Sequence, residues 1–340
     1  MTPPMTPPSG PPTRLRRRIT LAAAVYLAFV VLAWAAVEYG GDARAGPTLA
    51  LFGPRWLVGL PLLVLLPLAV WARAYRAVGL ALVAGVVVAG PVAGGTVNVG
   101  PHVRPMRHAL VRLRLVTWNM GGVKAGPAFR QFLADARPDV VVFQEADRTL
   151  TAADFPAGWT VTPPEDTKPV ATWLPVQSAG ELSVTQLGAP GGGRRYVLTT
   201  DEGPIHLVNL HLPTVRPGIE AAIGSKLRDL RPLRETIAAR AAAARTARAW
   251  VGDPGPNLLV AGDFNTPPAG RIYADNWAAF ANAYSEAGTG WGTTKQTRWF
   301  GTRIDHVLYA RPWRCQAAWV GPAMGSDHRP LVADLTLDEE

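Results

Sequence analysis

Ile19 to Val37 is a run of 19 residues without a single charge, entered directly from Arg14, Arg16, Arg17 and Arg18. As a helix it would rise about 28 Å, close to the hydrocarbon thickness of a bilayer. It is overlong for the apolar region of a signal peptide, and no small-residue cleavage site follows, so it reads as a span rather than a leader. Two further apolar runs, Trp56 to Trp71 and Ala77 to Gly95, flank Arg73 and Arg76. Pro61 and Pro67 interrupt the second, which spanning helices tolerate. Three transmembrane helices are therefore expected, over 19–37, 56–71 and 77–95. The arginines before the first and between the second and third should face the cytoplasm, because cytoplasmic loops carry the excess of Lys and Arg. Three spans then put everything after Gly95 outside the cytoplasm, in a multi-pass protein of the cell membrane. Arg104, Arg107, Arg112 and Arg114 argue mildly the other way, although they open a large domain, where the rule is weak. If Trp56–Trp71 does not span, the domain is cytoplasmic.

The rest of the composition agrees with that division. Hydrophobic residues make up 48% and charged residues 17% of the 340, and the apolar excess lies before about residue 96. The expected organisation is a disordered basic tail over 1–18, a membrane region over 19–96, a linker over 97–110 and one soluble domain over 111–340. The formal charge of +9 also divides: residues 1–100 hold eight Lys/Arg and two Asp/Glu, leaving 26 and 23, a charge of +3, beyond them. The basic balance thus belongs to the membrane flanks and is weak evidence for nucleic-acid binding. Cys315 is the only cysteine, so no intramolecular disulfide can form, and it reads as a small buried hydrophobe.

From Val111 the pattern changes to short apolar strands broken by Gly and Pro. Leu258 to Ala261 reads as a buried strand, Gly262 as the residue that lets the backbone turn, and Pro267 and Pro268 as the stop. Asp263 and Asn265 then stand on one side of the exit, because strand side chains alternate. Five more apolar strands carry polar residues at their ends: Asn119, Glu145, His211, Asp305 and Asp327/His328. Helices are expected over 128–136, 232–250 and 277–284, with a loop over 288–301. Strands outnumber helices, which suggests an α+β fold of two mixed sheets packed face to face with helices outside. Six strand ends built only from Asn, Glu, Asp and His suggest a meeting point. Oxygen ligands such as Glu145 suit a hard cation like Mg²⁺, and two histidines beside carboxylates suit water attack on a phosphate ester. HxxxH and CxxC are both absent, so nothing points to a zinc cage.

These residues match a known pattern. Thr117-Trp118-Asn119, Gln144-Glu145, Asn209-Leu210-His211, Gly262-Asp263-Phe264-Asn265, Arg303-Ile304-Asp305-His306 and Ser326-Asp327-His328-Arg329-Pro330 resemble the endonuclease/exonuclease/phosphatase superfamily in order and spacing, over Val111 to Leu337. The three-helix lead resembles its membrane-attached bacterial members. The resemblance implies a four-layered α/β sandwich behind three transmembrane helices, and a divalent metal, Mg²⁺ or Mn²⁺ in its place. It implies Glu145 as the main metal ligand, with Asn119 beside it and Asp327 near the metal. Asp263 resembles the residue that orients or deprotonates the attacking water, and Asn265 a hydrogen-bond donor to the phosphate. His328 and Asp305 resemble a His–Asp pair acting on the scissile phosphate or as base. His211 resembles the second histidine, which stabilises the transition state or protonates the leaving group. Many members carry a Ser-Arg-Tyr-Pro-like stretch where this chain has Ala171-Thr172-Trp173-Leu174-Pro175, which leaves the partner of His211 open.

The function implied is a membrane-anchored, metal-dependent phosphoester hydrolase, with phosphodiesters ahead of monoesters. The alternatives are a membrane-tethered nuclease and a non-catalytic phosphate-binding module of the same fold. The expected partners are the lipid bilayer and a phosphoester: a phospholipid headgroup, nucleic acid or a small phosphodiester. No obligate protein partner is implied. Elsewhere His206 and His306 read as structural, and His102 and His108 as solvated in the linker. Arg194, Arg195 and Arg298, and the helix face of Arg240, Arg245 and Arg248, read as solvated. Trp291 and Trp299 suit a substrate wall and a loop anchor equally.

Overall fold

The structure, a computed structural model, describes residues 13–98, 109–163, 166–184 and 191–338. The tail before Thr13 and the linker residues His102, Arg104, Arg107 and His108 lie outside them. The first helix, α1 (Thr13–Gly40), takes in the four arginines expected in the tail, since arginine is a good helix former. After a turn over Gly41–Ala43 come α2 (Ala45–Leu51), α3 (Leu62–Trp71) and α4 (Tyr75–Val87), whose last turns run on to Val92. Two helices, Thr13–Ala43 and Tyr75–Val92, are long and apolar enough to cross a membrane. Ala45–Leu51 and Arg55–Trp71 would make a third only as a pair bent by 86°. Ile19 and Ala23 pack on Ala72 and Ala77, while Tyr26 and Val30 pack on Ala84, Val88 and Val92. The pairs run in the same order along the chain, so α1 and α4 are parallel, and small alanines let them approach closely.

Helix α2 does not continue into that bundle. Ala45, Leu49 and Phe52 pack instead on Val215, Ala222, Leu233 and Ile237, from α6 (Arg216–Gly224) and α7 (Arg231–Val251) and the loop before them. The segment between the first two apolar runs is therefore seated on the soluble domain.

Two six-stranded sheets form that domain. The first, in spatial order, holds β13 (Trp313–Val320), β14 (Leu331–Asp338), β1 (Ala109–Asn119), β2 (Val140–Gln144), β4 (Val170–Thr172) and β3 (Thr160–Thr162). The second holds β5 (Val176–Ser183), β6 (Gly192–Thr200), β7 (Gly203–His211), β8 (Leu258–Asp263), β12 (Asp305–Tyr309) and β9 (Ala281–Asn282). Leu113 and Leu115 of β1 face Leu207 of β7 and Leu259 and Ala261 of β8 across the core between the sheets. The alternate residues Val116 and Trp118 face Phe129 and Phe132 of α5 (Pro127–Ala136). Val208 and Val260 face Ala243, Ala244 and Ala247 of α7, with Ile272 and Trp277 of α8 (Arg271–Trp277). Period-2 alternation thus supplies both faces of each sheet, and the result is four layers, helix–sheet–sheet–helix. The helix expected over 277–284 ends at Trp277. Asn282 instead donates to the Tyr273 hydroxyl and accepts from the Ser285 backbone N–H, which starts a separate helix, α9 (Ala283–Ala287). Within the expected loop over 288–301, β10 (Lys295–Gln296) pairs with β11 (Gly301–Thr302), just past its end.

Parallel pairing aligns Asn119 with Gln144 and His211 with Asp263, and antiparallel pairing aligns Asp305 with Asp263. These ends consequently meet at one edge of the sandwich. Gly262 does not turn the chain, as its sequence context suggested; it stays in the ladder at φ +144°. A Cβ there would stand 1.9 Å from the Leu210 carbonyl oxygen of the neighbouring strand, so glycine is required by close approach. Gly262→Ala should lower stability by roughly 2–4 kcal/mol, read as a drop in the melting temperature of the full chain in detergent; an unchanged melt would contradict this account.

Candidate functional site

The inter-sheet face becomes polar in steps toward that edge. Beyond the apolar core, Thr117, Gln144 and Asn209 occupy the same strand phase as Leu115, Val142 and Leu207. All three are buried and bonded to one another's neighbours: Gln144 Nε2 donates to Asn209 Oδ1 at 2.7 Å and to Thr117 Oγ1 at 3.2 Å, and Asn209 donates to the Phe143 carbonyl. One step further along the strands come Asn119, Asp263, Asp305 and His211.

Asp263, Asp305 and His328 are the three-donor group of the described residues, with ligand atoms within 4.8 Å of one another, and all are buried. His328 Nδ1 lies 3.0 Å from Asp305 Oδ2, and its Nε2 lies 3.7 Å from Asp263 Oδ2. Burial alone would depress the His328 imidazole. The carboxylates of Asp305 and Asp263 more than reverse this and push it up to about 9, so it is an imidazolium donating to Asp305. Burial, then the charge of Asp305, raises the Asp263 carboxyl above its ordinary range. The loop that delivers His328 is pinned to β1: Ser326 donates to the Asn119 carbonyl at 2.8 Å, and the Trp118 indole donates to the His328 carbonyl at 3.1 Å.

Asn119 joins the two sheets. Its Nδ2 donates to Asp263 Oδ2 at 3.0 Å and to Glu145 Oε1 at 3.1 Å. His211 Nε2 stands 3.4 Å from Glu145 Oε1 and 3.8 Å from Asp263 Oδ2. Those are the acidic neighbours of His211. Trp173, from the divergent stretch, bonds Asp139 at the opposite end of β2. Asn265 lies beyond strand alternation, at φ +49°, yet still adjoins Asp263 because Asp263 Oδ1 accepts its backbone N–H at 2.8 Å. Glu145, at φ +47°, is the other left-handed non-glycine residue of the site, and its carboxylate is half exposed. Asp327 does not join the buried group: its carboxylate is bonded to Lys295 and lies 3.6 Å from Arg216. Lys295 holds it below its ordinary range even though burial acts the other way.

Above these residues opens a cleft of about 920 Å³, lined also by Lys168, Arg216 and Lys295. Sequence reasoning missed these cations. Lys295 sits in a stretch read as a featureless loop, and only the β10–β11 hairpin and its bridge to His328 bring it to the cleft. A hard divalent cation fits this donor set, because Glu145 presents carboxylate oxygen beside Asn119, and the buried carboxylates of Asp263 and Asp305 call for positive charge.

Arg240, read as solvated, is buried. Its Nη2 donates to the Asn265 carbonyl at 2.6 Å and to Thr266 Oγ1 at 3.1 Å, and its Nε to the Pro213 carbonyl at 3.2 Å. It therefore holds the turns that follow both β8 and β7. Its Nη1 faces Asp42 Oδ2 at 3.7 Å, and Asp42, fully buried, accepts the Ile272 backbone N–H at 2.8 Å. Asp42 comes from the turn after α1, so the first apolar helix reaches the backbone of the site through one ion pair. Arg194 also departs from its solvated reading, pairing with Asp166 and Glu181, while Arg195 stacks on Trp250. His306 bonds Thr266 and Asn282, and burial lowers it to about 4, as suits a structural residue. Trp291 donates to the Ala89 carbonyl and so anchors its loop to the end of α4.

The sequence profile of the Endonuclease/Exonuclease/phosphatase family matches residues 116–328. No curated protein matches the chain. Among solved structures, a humanized D. rerio TDP2 is 16% identical, over 66% of this chain and 98% of its own, at a TM-score of 0.45. An endonuclease/exonuclease/phosphatase from Beutenbergia cavernae is 19% identical, over 66% and 72%, at 0.46. A mannosyl-6-phosphatase of Bacteroides thetaiotaomicron is 14% identical, over 66% and 99%, at 0.44.

Two outcomes follow from the buried charges. Arg240→Met should cost roughly 3–5 kcal/mol, because it leaves Asp42 charged and alone in the interior. Adding Asp42→Asn should cost less than the sum of the single changes, by about 1–3 kcal/mol. Thermal melts of the four proteins in detergent measure this, and strict additivity would refute the pair. For His328, a folded value of about 9 above the ordinary 6.5 means that protonation stabilises the fold. That stability, up to about 3 kcal/mol, is whole below about pH 6.5 and is lost as pH rises through about 9. The melting temperature of the wild type in EDTA, minus that of His328→Gln, should therefore fall between neutral pH and about pH 10; a constant difference would disprove it.

Proposed function

The chain belongs to the Endonuclease/Exonuclease/phosphatase family, and from that membership we propose that it is a membrane-anchored, divalent-metal-dependent hydrolase of phosphoesters, phosphodiesters foremost. The observation that carries the reading is the buried Asp305–His328 pair, with Asp263 beside it, at the floor of a cleft rimmed by Lys168, Arg216 and Lys295. An imidazolium held by a carboxylate can donate to a phosphate oxygen as charge grows there. Asp263 is the candidate to orient or deprotonate water, since its raised value brings it nearer to the range of a working base. His211, beside Glu145, is the candidate to give a proton to the leaving oxygen, and Asn265 the candidate donor to the phosphate once its Nδ2 leaves the Leu212 carbonyl that it meets at 2.8 Å. Glu145 and Asn119, with Asp327 nearby, would hold Mg²⁺ or Mn²⁺, which when bound neutralises phosphate charge.

Orientation rests on the two ends of the parallel helices α1 and α4. Arg16, Arg17, Arg73 and Arg76 line one groove at the end remote from the sheets. At the other end Asp42 enters the catalytic domain, and Thr96 pairs with Gly290. With the arginine end in the cytoplasm, the helices pass the bilayer more than once and the cleft faces outward.

The test supplies a membrane-impermeant phosphodiester to intact cells producing the full chain. Hydrolysis should require a divalent metal, stop with EDTA, and drop roughly 10²–10⁴-fold in Asp263→Asn and His328→Ala. Wild-type rates in either variant would sink the mechanism, and activity seen only after lysis would reverse the orientation.

A further inference from the structure

A second cavity, of about 560 Å³, lies between the ends of α1 and α4 and the loops behind β8 and β12. Its apolar wall includes Trp56, Pro91, Pro267, Trp291 and Phe300. Two guanidinium groups line it, Arg55 from the membrane region and Arg303 from the catalytic domain. Arg303 is 8% exposed and lies over the Tyr284 ring at 4.9 Å. One of its nitrogens donates to Ser285 Oγ at 3.2 Å, whereas Nε and Nη1 are buried without a partner. Arg55 Nη1 is likewise buried and unpartnered. Among the described residues neither arginine lies within 4 Å of a carboxylate. Burial, with the neighbouring charge of Arg55 adding to it, lowers the Arg303 guanidinium to about 10.

Buried donors without acceptors are rare, and a buried charge without a counter-charge is costly. Two together in a cavity open to the outside describe a place for an anion. Phosphate suits it, since guanidinium forks match its oxygens. The position narrows the source. Glu38 near the end of α1 and Gly90 and Pro91 at the end of α4 line the same cavity, and tryptophans such as Trp56 and Trp291 are typical of a bilayer's polar interface. Wall and donors together fit a headgroup that carries a hydrocarbon tail.

We propose that this junction cavity binds the phosphate of an anionic bilayer lipid and clamps it between the membrane helices and the catalytic domain. The inference rests on the helices lying in a bilayer. Bound phosphate would answer both guanidinium groups at once and join Arg55 to Arg303, two residues before Asp305. It is a site apart from the catalytic cleft, which shares none of its lining residues.

The experiment reconstitutes the full chain in phosphatidylcholine nanodiscs, with or without phosphatidylglycerol, and follows its thermal melt, for the wild type and Arg55→Gln. Co-elution with the discs verifies insertion, so a failure of the membrane premise is read separately as protein eluting without discs. Phosphatidylglycerol should raise the wild-type melting temperature by several degrees and leave Arg55→Gln unmoved. Equal melts in the two lipids would overturn the proposal. So would a rise retained by Arg55→Gln, which would assign the effect to the general basic flanks. Inorganic phosphate in phosphatidylcholine discs producing the same Arg55-dependent rise would overturn the lipid assignment in favour of a soluble anion.

Discussion

Asp263 and Asp305 are removed almost entirely from water while sharing one histidine, and the rest of that sheet edge is arranged around them. Two carboxylates in a low-dielectric site cannot both ionise unless charge or donors surround them. The structure provides the His328 proton, the Asn119 amide and the Asn265 backbone N–H. Each comes from a different segment, so the ends of β1, β8 and β12 and the loop before β14 must converge. The polar layer of Thr117, Gln144 and Asn209 beneath them has the same origin. It grades an apolar core into a charged edge with its hydrogen bonds satisfied, which keeps that edge from collapsing inward.

The same demand reaches into the N-terminal apolar helices. Arg240 holds the turns after β7 and β8, and a buried guanidinium needs a negative partner. That partner, Asp42, lies on the turn after α1, while α2 covers Val215, Leu233 and Ile237. The helical region is thus a structural part of the site and not a flexible leash. A domain cut free at the linker would leave Arg240 without its carboxylate and would expose the apolar face that α2 covers.

What the sequence disclosed, and what it did not, follows from the range of each interaction. Strand alternation and the polar ends were legible because they are local: Leu113, Leu115, Thr117 and Asn119 share a face by parity alone. Asp263, Asp305 and His328 lie together, with Asn119, Glu145, His211 and Asn265 around them, while the Asp327 carboxylate turns to Lys295. Arg240 was not legible. It occupies a helix rich in Ala and Arg, where a basic face is ordinarily solvated, and nothing near it in sequence announces a carboxylate about two hundred residues earlier. Lys295 was hidden for a similar reason, since a two-residue strand leaves no periodic signal. The left-handed backbone at Glu145 also escaped notice, because glutamate ordinarily marks no such conformation and tertiary contacts impose it here, whereas Asn265 is of a type that tolerates it.

The cleft and the junction cavity differ in how their positive charge is kept. In the cleft above Asp263 and His328, Lys295 and Arg216 share Asp327, with Arg216 and Asp327 both half exposed. Charges partly neutralised and solvated attract an anion weakly and release it readily, which suits the turnover proposed for that cleft. At the junction the guanidinium groups of Arg55 and Arg303 carry buried nitrogens with no protein partner. An anion there would meet unscreened donors, and its departure would restore their full desolvation cost. The first arrangement favours exchange and the second residence. A site built for residence belongs where the protein has to be held together, between the helices and the domain they carry.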